Sequence, residues 1–252
     1  MSAGAAPPGA QSEAQVAAWV RRMFDGVAPR YDLLNHLLSF NVDRYWRWRA
    51  VRALKPQLAL PNARIVDLCC GSGDLMLALQ KASKAPVLGS DFSHQMLRAA
   101  NAKVARRQLP CRVFEADALT LPLTRDSCDL VTAAFGFRNL ANYRRGLHEL
   151  LRVLRPGGAA AVLEFTTPPN ALFRSFYNFY SHRLLPIIGG LISGSREAYS
   201  YLPDSVRRFP DAPTLAAHFR SAGFDSVRFE YMTFGIVALH IGYKPRLQPS
   251  SR

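Results

Sequence analysis

The stretch Ile65-Val66-Asp67-Leu68-Cys69-Cys70-Gly71-Ser72-Gly73-Asp74 decides the fold. Ile65 to Leu68 reads as a buried strand, and Gly71-Ser72-Gly73 as a turn in which glycine lets a ligand approach the backbone closely. Leu75 to Ala82 is the helix that follows. The unit then repeats: Val87 to Asp91 is a strand ending in an acid, Ser93 caps a helix to about Arg106, and Arg112-Val113-Phe114 is a third strand. Asp129 to Ala134 makes a fourth. The helix Tyr143 to Leu154 stops at Arg155-Pro156-Gly157-Gly158, and Ala159 to Phe165 makes a fifth strand. Strands and helices alternating at these lengths predict an α/β fold, with a mostly parallel sheet covered on both faces.

Beyond Phe165 the rhythm breaks. Residues 168–210, rich in aromatics, Pro and Gly, read as an inserted substrate cover. Leu215 to Ala222 is a helix. Val227 to Met232 and Ile236 to Tyr243 are strands joined only by Thr233-Phe234-Gly235, a connection so short that the two must be antiparallel. A parallel sheet ended by an antiparallel C-terminal hairpin strand resembles the class I S-adenosylmethionine-dependent methyltransferase (Rossmann-like) fold. Upstream, Val16, Trp19, Val20 and Met23 recur at helical spacing before Pro29, Leu33 to Leu38 continue the pattern, and a third helix runs from Asp43 through Trp46 and Trp48 to Leu54. Residues 13–55 therefore read as a helical lid on a single domain spanning 13–252, preceded by a disordered leader, 1–12.

The composition bounds the function. With 252 residues, 49% hydrophobic and 20% charged, the chain is long and apolar enough for a full core, which excludes a disordered or disulfide-stapled protein. No window approaches the ~18 unbroken apolar residues of a membrane helix. Cys69, Cys70, Cys111 and Cys128 form no CxxC pair and stand in no zinc spacing, so a cytoplasmic location and no metal site are expected. The net charge of +14 fits nucleic acid, an anionic membrane surface or an arginine-favouring genome alike.

The glycine loop points to a nucleoside. Met76 stands where a dinucleotide fingerprint has its third glycine, which argues against NAD, and the P-loop signature is missing. Asp91, at the end of the second strand, is placed to accept hydrogen bonds from both ribose hydroxyls. Asp117, after the third strand, can accept from an adenine amine while the neighbouring backbone donates to the ring. Asp67 holds the loop or meets a cationic ligand end. An acidic, lysine-free loop suits S-adenosyl-L-methionine, which carries an ammonium and a sulfonium but no phosphate.

Several segments in order then carry a family likeness. Tyr31-Asp32-Leu33-Leu34-Asn35 with Trp46-Arg47, Asp67 to Asp74, Phe135-Gly136-Phe137-Arg138-Asn139, Leu163-Glu164-Phe165, Tyr201 to Ser205, and Thr233 to His240 closely resemble the ubiquinone and menaquinone biosynthesis C-methyltransferases over residues 24–244. The resemblance implies methyl transfer from S-adenosylmethionine to a ring carbon of a polyprenyl quinol, such as demethylmenaquinol to menaquinol, or alternatively a ubiquinone precursor. By position it implies Ser72, Asp91, Asp117 and Ala118 as cofactor contacts, joining Asp67, Gly71 and Gly73. Ser72 and Asp117 replace the Thr and Asn common there, and Asn142 replaces a frequent acid.

Ring methylation is helped by loss of a quinol hydroxyl proton, whose pKa lies near ~10. Arg138 is the candidate fixed cation for the phenolate, since its own pKa above ~12 keeps it from acting as the base. Asn139 is the candidate to orient the ring oxygen or a water. The blander alternative for Arg138 is a salt bridge. His148 and His240 read as structural, the cysteine pair as small-residue packing, and Tyr-Leu-Pro at 201–203 as a substrate cover or a plain turn. Phe173, Phe176, Tyr177 and Tyr180 make an aromatic stripe that, with the apolar run Leu184 to Ile192, either lines a prenyl-tail groove, touches the inner face of the membrane, or packs on the sheet. A nucleic-acid methyltransferase, which would need a basic face with exposed aromatics, and a non-catalytic cofactor-binding protein are the competing readings; no nucleic-acid partner is expected. A homo-oligomer is compatible with all of this.

Overall fold

Ile65–Leu68 (β1) is buried at all four positions, as a strand covered on both faces must be. It pairs in parallel with Val87–Asp91 (β2) on one side and Cys128–Ala134 (β4) on the other. Arg112–Glu115 (β3) extends the sheet beyond β2, and Leu154–Phe165 (β5) beyond β4. The last two strands, Asp225–Met232 (β6) and Val237–Tyr243 (β7), complete the order β3-β2-β1-β4-β5-β7-β6. β7 runs antiparallel to both β5 and β6, so the expected hairpin is present and its second strand is slotted inside its first. The computed structural model describes residues 4–5, 9–28, 31–179, 183 and 196–246.

Helices cover both faces. Glu13–Val27 (α1), Tyr143–Val153 (α7) and Ala212–Ser221 (α10) border one apolar cluster that includes Val20, Val131, Leu147 and Phe219. Val42–Ala53 (α3), Lys55–Leu58 (α4) and Asp74–Ala82 (α5) border the other, around Trp46, Leu58, Leu79 and Leu130. Each fully buried Leu or Phe here contributes roughly 1.5 to 3 kcal/mol relative to exposure. Tyr31–Leu38 (α2) lies ahead of α3, and His94–Arg107 (α6) follows β2, with the Ser93 side chain accepting from Met96 N–H as its cap. Ala171–Phe179 (α8) and Arg196–Arg208 (α9) lie within the segment 168–210.

Local structure adds detail to the sequence reading. Arg155-Pro156-Gly157-Gly158 is not a helix stop: α7 ends at Val153 and β5 starts at once, with Leu154 opposite Cys128 and the register shifting before Ala159 meets Leu130. The bulge absorbs Pro156, which a regular ladder would exclude. Tyr201-Leu202-Pro203 is not a turn, because Pro203 sits inside α9. Within the stretch read as a leader, Ser12 caps α1 by accepting from Gln15 N–H, and Ala5 is buried, its N–H donating to Leu140 O at 2.9 Å.

The loop after β1 works without a third glycine for a packing reason. Met76 is fully buried, and a Cβ at Gly89 of β2 would come within 2.6 Å of its sulfur. The missing glycine on α5 is thus matched by a glycine on the neighbouring strand.

Candidate active site

Gly71 and Gly73 have φ of +54° and +88°, a region where side chains with a Cβ are strained. Their turn brings the loop against Asp91 at the end of β2. Gly71 N–H donates to Asp91 Oδ2 at 2.8 Å and Ser93 N–H to Oδ1 at 2.9 Å, so the carboxylate is fixed and each oxygen keeps further acceptor capacity. Burial pushes its carboxyl up to about 6, against those hydrogen bonds. Asp67, beneath the loop, accepts from Thr132 Oγ1 at 2.6 Å, while its Oδ2 is buried without a partner among the described residues. Burial pushes it up to about 7.

Asp67 therefore yields a stability prediction. A carboxyl raised from 3.8 to about 7 binds its proton in the folded state across that window, so its share of stability is present at low pH and lost as pH rises through 7. Asp67→Asn removes the cost of ionisation and keeps the acceptor for Thr132. The variant should match wild type most closely below pH 4, be more stable by roughly 1.5 kcal/mol at pH 5, and gain up to roughly 4 kcal/mol at pH 8. Equal shifts at pH 5 and pH 8 would show that Asp67 ionises freely.

Ser72 is buried, and its hydroxyl donates to Asp32 of α2 while Lys103 of α6 donates to it at 3.0 Å. Lys103 also pairs with Asp32 at 2.6 Å and with Asp74 at 2.7 Å. The loop lacks lysine in sequence and acquires one in space. Asp117 lies exposed in the turn after β3, where its Oδ1 accepts from Leu119 N–H at 2.9 Å; Ala118 beside it is buried.

Over the carboxyl ends of β4 and β5 opens a cavity of about 420 Å³. Its walls are aromatic and aliphatic, with Phe24, Trp46, Phe135, Phe165 and Tyr177 among them, and its polar groups include Tyr31, Asn35, Arg47, Arg138 and Tyr201. Tyr31 links cavity and loop: a Cβ on Gly71 would lie 3.7 Å from its ring. Burial raises its phenol pKa, opposed by the hydrogen bond to Asn35 and by Arg138 and Arg47. Trp46, Phe135 and Phe165 pack edge and tilt, with ring centroids 4.9 to 6.0 Å apart.

Arg138 lines this cavity, and it is also ion-paired. NH1 meets Glu164 Oε1 at 2.9 Å, Nε donates to Ser205 Oγ at 3.2 Å, NH1 also donates to Phe135 O, and the guanidinium lies 5.4 Å from the Phe165 ring centre. Both partners are nearly inaccessible, 7% and 1% exposed, so salt bridge and cavity wall are two aspects of one residue rather than alternatives. NH2 alone has no protein partner among the described residues. Asn139 does not line the cavity: its Oδ1 accepts from Tyr201 O–H at 3.2 Å, and Tyr201 is the residue at the wall. Asn139 thus stands behind Tyr201 rather than at the cavity wall.

The other singled-out residues sit elsewhere. His240 is a satisfied core histidine between the Phe219 and Phe229 rings, bonded to Ala212 O at 2.9 Å, and burial lowers it to about 4. His148 is exposed on α7. Cys69 takes φ +50°, and its Cβ would lie 2.4 Å from a Cβ on Gly136, which is why that position is glycine. Asn142 caps α7 and donates to Glu13 Oε1 at 3.0 Å, a role needing no charge. Of the aromatic stripe, Phe173 and Tyr177 line the cavity; the Phe176 side chain, Tyr180 and the run 184–192 lie outside what is described. Sequence reasoning missed Glu164, Arg47 and Lys103 as site residues, although Glu164 and Arg47 stood in the quoted motifs. It also missed the convergence of His36, Asp43 and Asp74, whose ligand atoms lie within 4.8 Å of one another. Arg47 and Lys103 already supply that cluster's cations.

The loop fits S-adenosylmethionine. Asp91 offers acceptors for a ribose diol, the unpartnered Oδ2 of Asp67 is one that a cationic ligand end would relieve, and these two buried carboxylates, neither paired with Lys103, disfavour a phosphate. A model of the ubiE/COQ5 methyltransferase family matches residues 10–244. A Thermus thermophilus protein named demethylmenaquinone methyltransferase is 52% identical over 88% of this chain and 100% of its own. A Geotalea daltonii protein named ubiquinone/menaquinone biosynthesis C-methyltransferase UbiE is 42% identical over 89% of this chain and 96% of its own. Among solved structures, a Thermotoga maritima S-adenosylmethionine-dependent methyltransferase superposes with a TM-score of 0.63 at 18% identity, covering 88% of this chain and 98% of that one. Sheet order, glycine loop and full-length likeness agree that the chain belongs to the ubiE/COQ5 methyltransferase family.

Proposed function

We propose that the protein methylates a ring carbon of demethylmenaquinol to give menaquinol. As a family member it is an S-adenosylmethionine-dependent C-methyltransferase of quinone biosynthesis, and its substrate is a polyprenyl quinol. The observation that carries the finer reading is the apolar cavity of about 420 Å³ with Arg138 in its wall, adjoining the glycine loop through Tyr31.

S-adenosylmethionine supplies an electrophilic methyl group. In this reading Gly71, Ser72, Gly73 and Asp91 hold it, with Asp91 accepting from the ribose hydroxyls; Asp117 and Ala118 meet the adenine, and Asp67 steadies the loop. Arg138 would hold the quinol oxygen as its proton passes to solvent water. Lowering a hydroxyl pKa from ~10 to ~7 requires about 4 kcal/mol, which is also about what one guanidinium in contact provides at an effective dielectric near 20. Glu164 at 2.9 Å offsets part of that field, so Arg47, in the same cavity wall, is assigned a share of the stabilisation. Tyr201, held by Asn139, completes the polar edge, and the prenyl tail runs along the apolar wall. Because that tail resides in a bilayer, the enzyme works from the cytoplasmic side at the membrane surface; among the described residues no helix is long and apolar enough to cross it.

Deleting the gene and analysing the cell's quinones by mass tests the assignment. Accumulation of demethylmenaquinone is expected. Accumulation of a ubiquinone precursor lacking the ring methyl would transfer the same chemistry to that substrate, and an unchanged quinone profile would end the proposal.

A further inference from the structure

α2 is amphipathic in the inverted sense. Its polar side faces the protein: Asp32 takes hydrogen bonds from Ser72 and Lys103, and His36 Nδ1 lies 2.8 Å from Asp43 Oδ2. Two of its leucines face out, Leu33 at 61% and Leu37 at 46% exposed. A surface helix normally does the reverse, so an outward pair at i and i+4 marks a face that awaits an apolar partner.

α3, which packs against α2, also exposes apolar groups. Its buried side carries Asp43, Trp46, Arg47 and Ala50. Outward stand Tyr45 and Trp48, about half exposed, with ring centroids 5.9 Å apart, and Arg52 lies 5.4 Å from the Trp48 ring centre. Arg44 is exposed beside them, and no exposed residue between 31 and 53 is acidic. Leucines, interfacial aromatics and arginines without a carboxylate suit the boundary between anionic headgroups and acyl chains. The turn from α2 to α3 also lines the mouth of the cavity through Leu38, Ser39 and Val42.

We propose that the outward face of α2 and α3 seats the enzyme on an anionic lipid bilayer, with Leu33, Leu37, Tyr45 and Trp48 entering the headgroup boundary and Arg44 and Arg52 meeting lipid phosphates. The inference rests on the reading of the substrate as a prenylated quinol, which has to enter the cavity from a membrane. A second copy of the chain fits this face less well, since a two-fold contact would set Arg44 and Arg52 against their own copies. Nucleic acid fits less well because the exposed leucines would be dehydrated against phosphates without gain.

The test is flotation with phosphatidylglycerol-containing vesicles, and with phosphatidylcholine vesicles as control, for wild type, Leu33→Gln/Leu37→Gln and Trp48→Gln. Wild type should float with the anionic vesicles and be released by high salt, and each variant should bind about tenfold more weakly or worse. Wild-type fluorescence should be quenched by brominated lipid, with that quenching reduced in Trp48→Gln. Turnover of a tail-less demethylated quinol should stay within about twofold of wild type in every variant, since none of these residues lines the cavity. Wild type that fails to float, or variants that float equally well, would overturn the docking face. So would wild type that binds an oligonucleotide, or dimerises, through these residues instead of binding vesicles. Failure of wild type to turn over the tail-less quinol strikes the methyl-transfer reading alone, because flotation is scored independently.

Discussion

Glu164→Ala is expected to cost the fold about 3 to 5 kcal/mol, the usual penalty for leaving one member of a buried ion pair uncompensated. Glu164 is 1% exposed and holds three groups at once: Arg138 NH1 at 2.9 Å, Arg138 N–H at 3.2 Å and Phe165 N–H at 2.8 Å. Its loss strands a guanidinium that is 7% exposed. For a chain of this size the melting temperature should fall by roughly 6 to 20 °C. The double variant Arg138→Met/Glu164→Leu should recover most of that stability, because two apolar side chains replace the pair without stranding a charge. It separates structure from chemistry. If Arg138 stabilises charge developed on the quinol oxygen, the well-folded double variant should still lose about a hundredfold or more in turnover, with cofactor affinity nearly unchanged. Turnover near wild type in that variant would reduce Arg138 to half of a salt bridge.

The sheet was readable because its signals are local. β1, β2 and β4 are buried apolar runs bounded by loops, and Ser93 caps α6 as its position before the apolar periodicity implied. Strand order was not readable in the same way: that β7 inserts between β5 and β6 is settled by long-range packing, and only the antiparallel sense follows from the short turn at 233–235. Pro156 and Pro203 were less legible. In sequence Pro156 reads as a helix stop and Pro203 leaves a turn open as an alternative, but a bulge accommodates the first in a strand and the second sits within a helix.

The site divides along the same line. Asp91 and the glycines were legible because the strand-turn-helix unit itself brings strand ends together, and Arg138 through its place in a quoted motif. Their partners were not. Lys103 reaches Ser72 from 31 positions away, Glu164 meets Arg138 from 26, and Thr132 meets Asp67 from 65. Nothing in the neighbourhood of Lys103 in sequence distinguishes it from the solvated lysines and arginines of an ordinary helix. What makes it a site residue is the acidic environment assembled by two other helices, Asp32 from α2 and Asp74 from α5.

Asp91→Ala should weaken S-adenosylmethionine binding by about 1.5 to 3 kcal/mol, or roughly 10- to 150-fold, the range for hydrogen bonds to a charged acceptor. The acid also anchors the loop through Gly71 N–H and the start of α6 through Ser93 N–H, so the loss should lie toward the upper end of that range. Asp91→Asn is the finer probe. It keeps one acceptor oxygen and removes the charge, and its affinity should vary little with pH. Wild type should behave differently, because burial sets the Asp91 carboxyl at about 6 in the empty site. Ribose hydroxyls donate to the ionised form, so binding pulls that pKa down, and affinity is full above pH 6 and falls toward tenfold per pH unit below it. Asp67, at about 7, is the other buried carboxyl at the loop; the fall below pH 6 should persist in Asp67→Asn if Asp91 is its source. Calorimetry across pH 5 to 8 on wild type and the three variants decides the matter: an acid limb that survives in Asp91→Asn, or an affinity unchanged in Asp91→Ala, would place the ribose somewhere other than the end of β2.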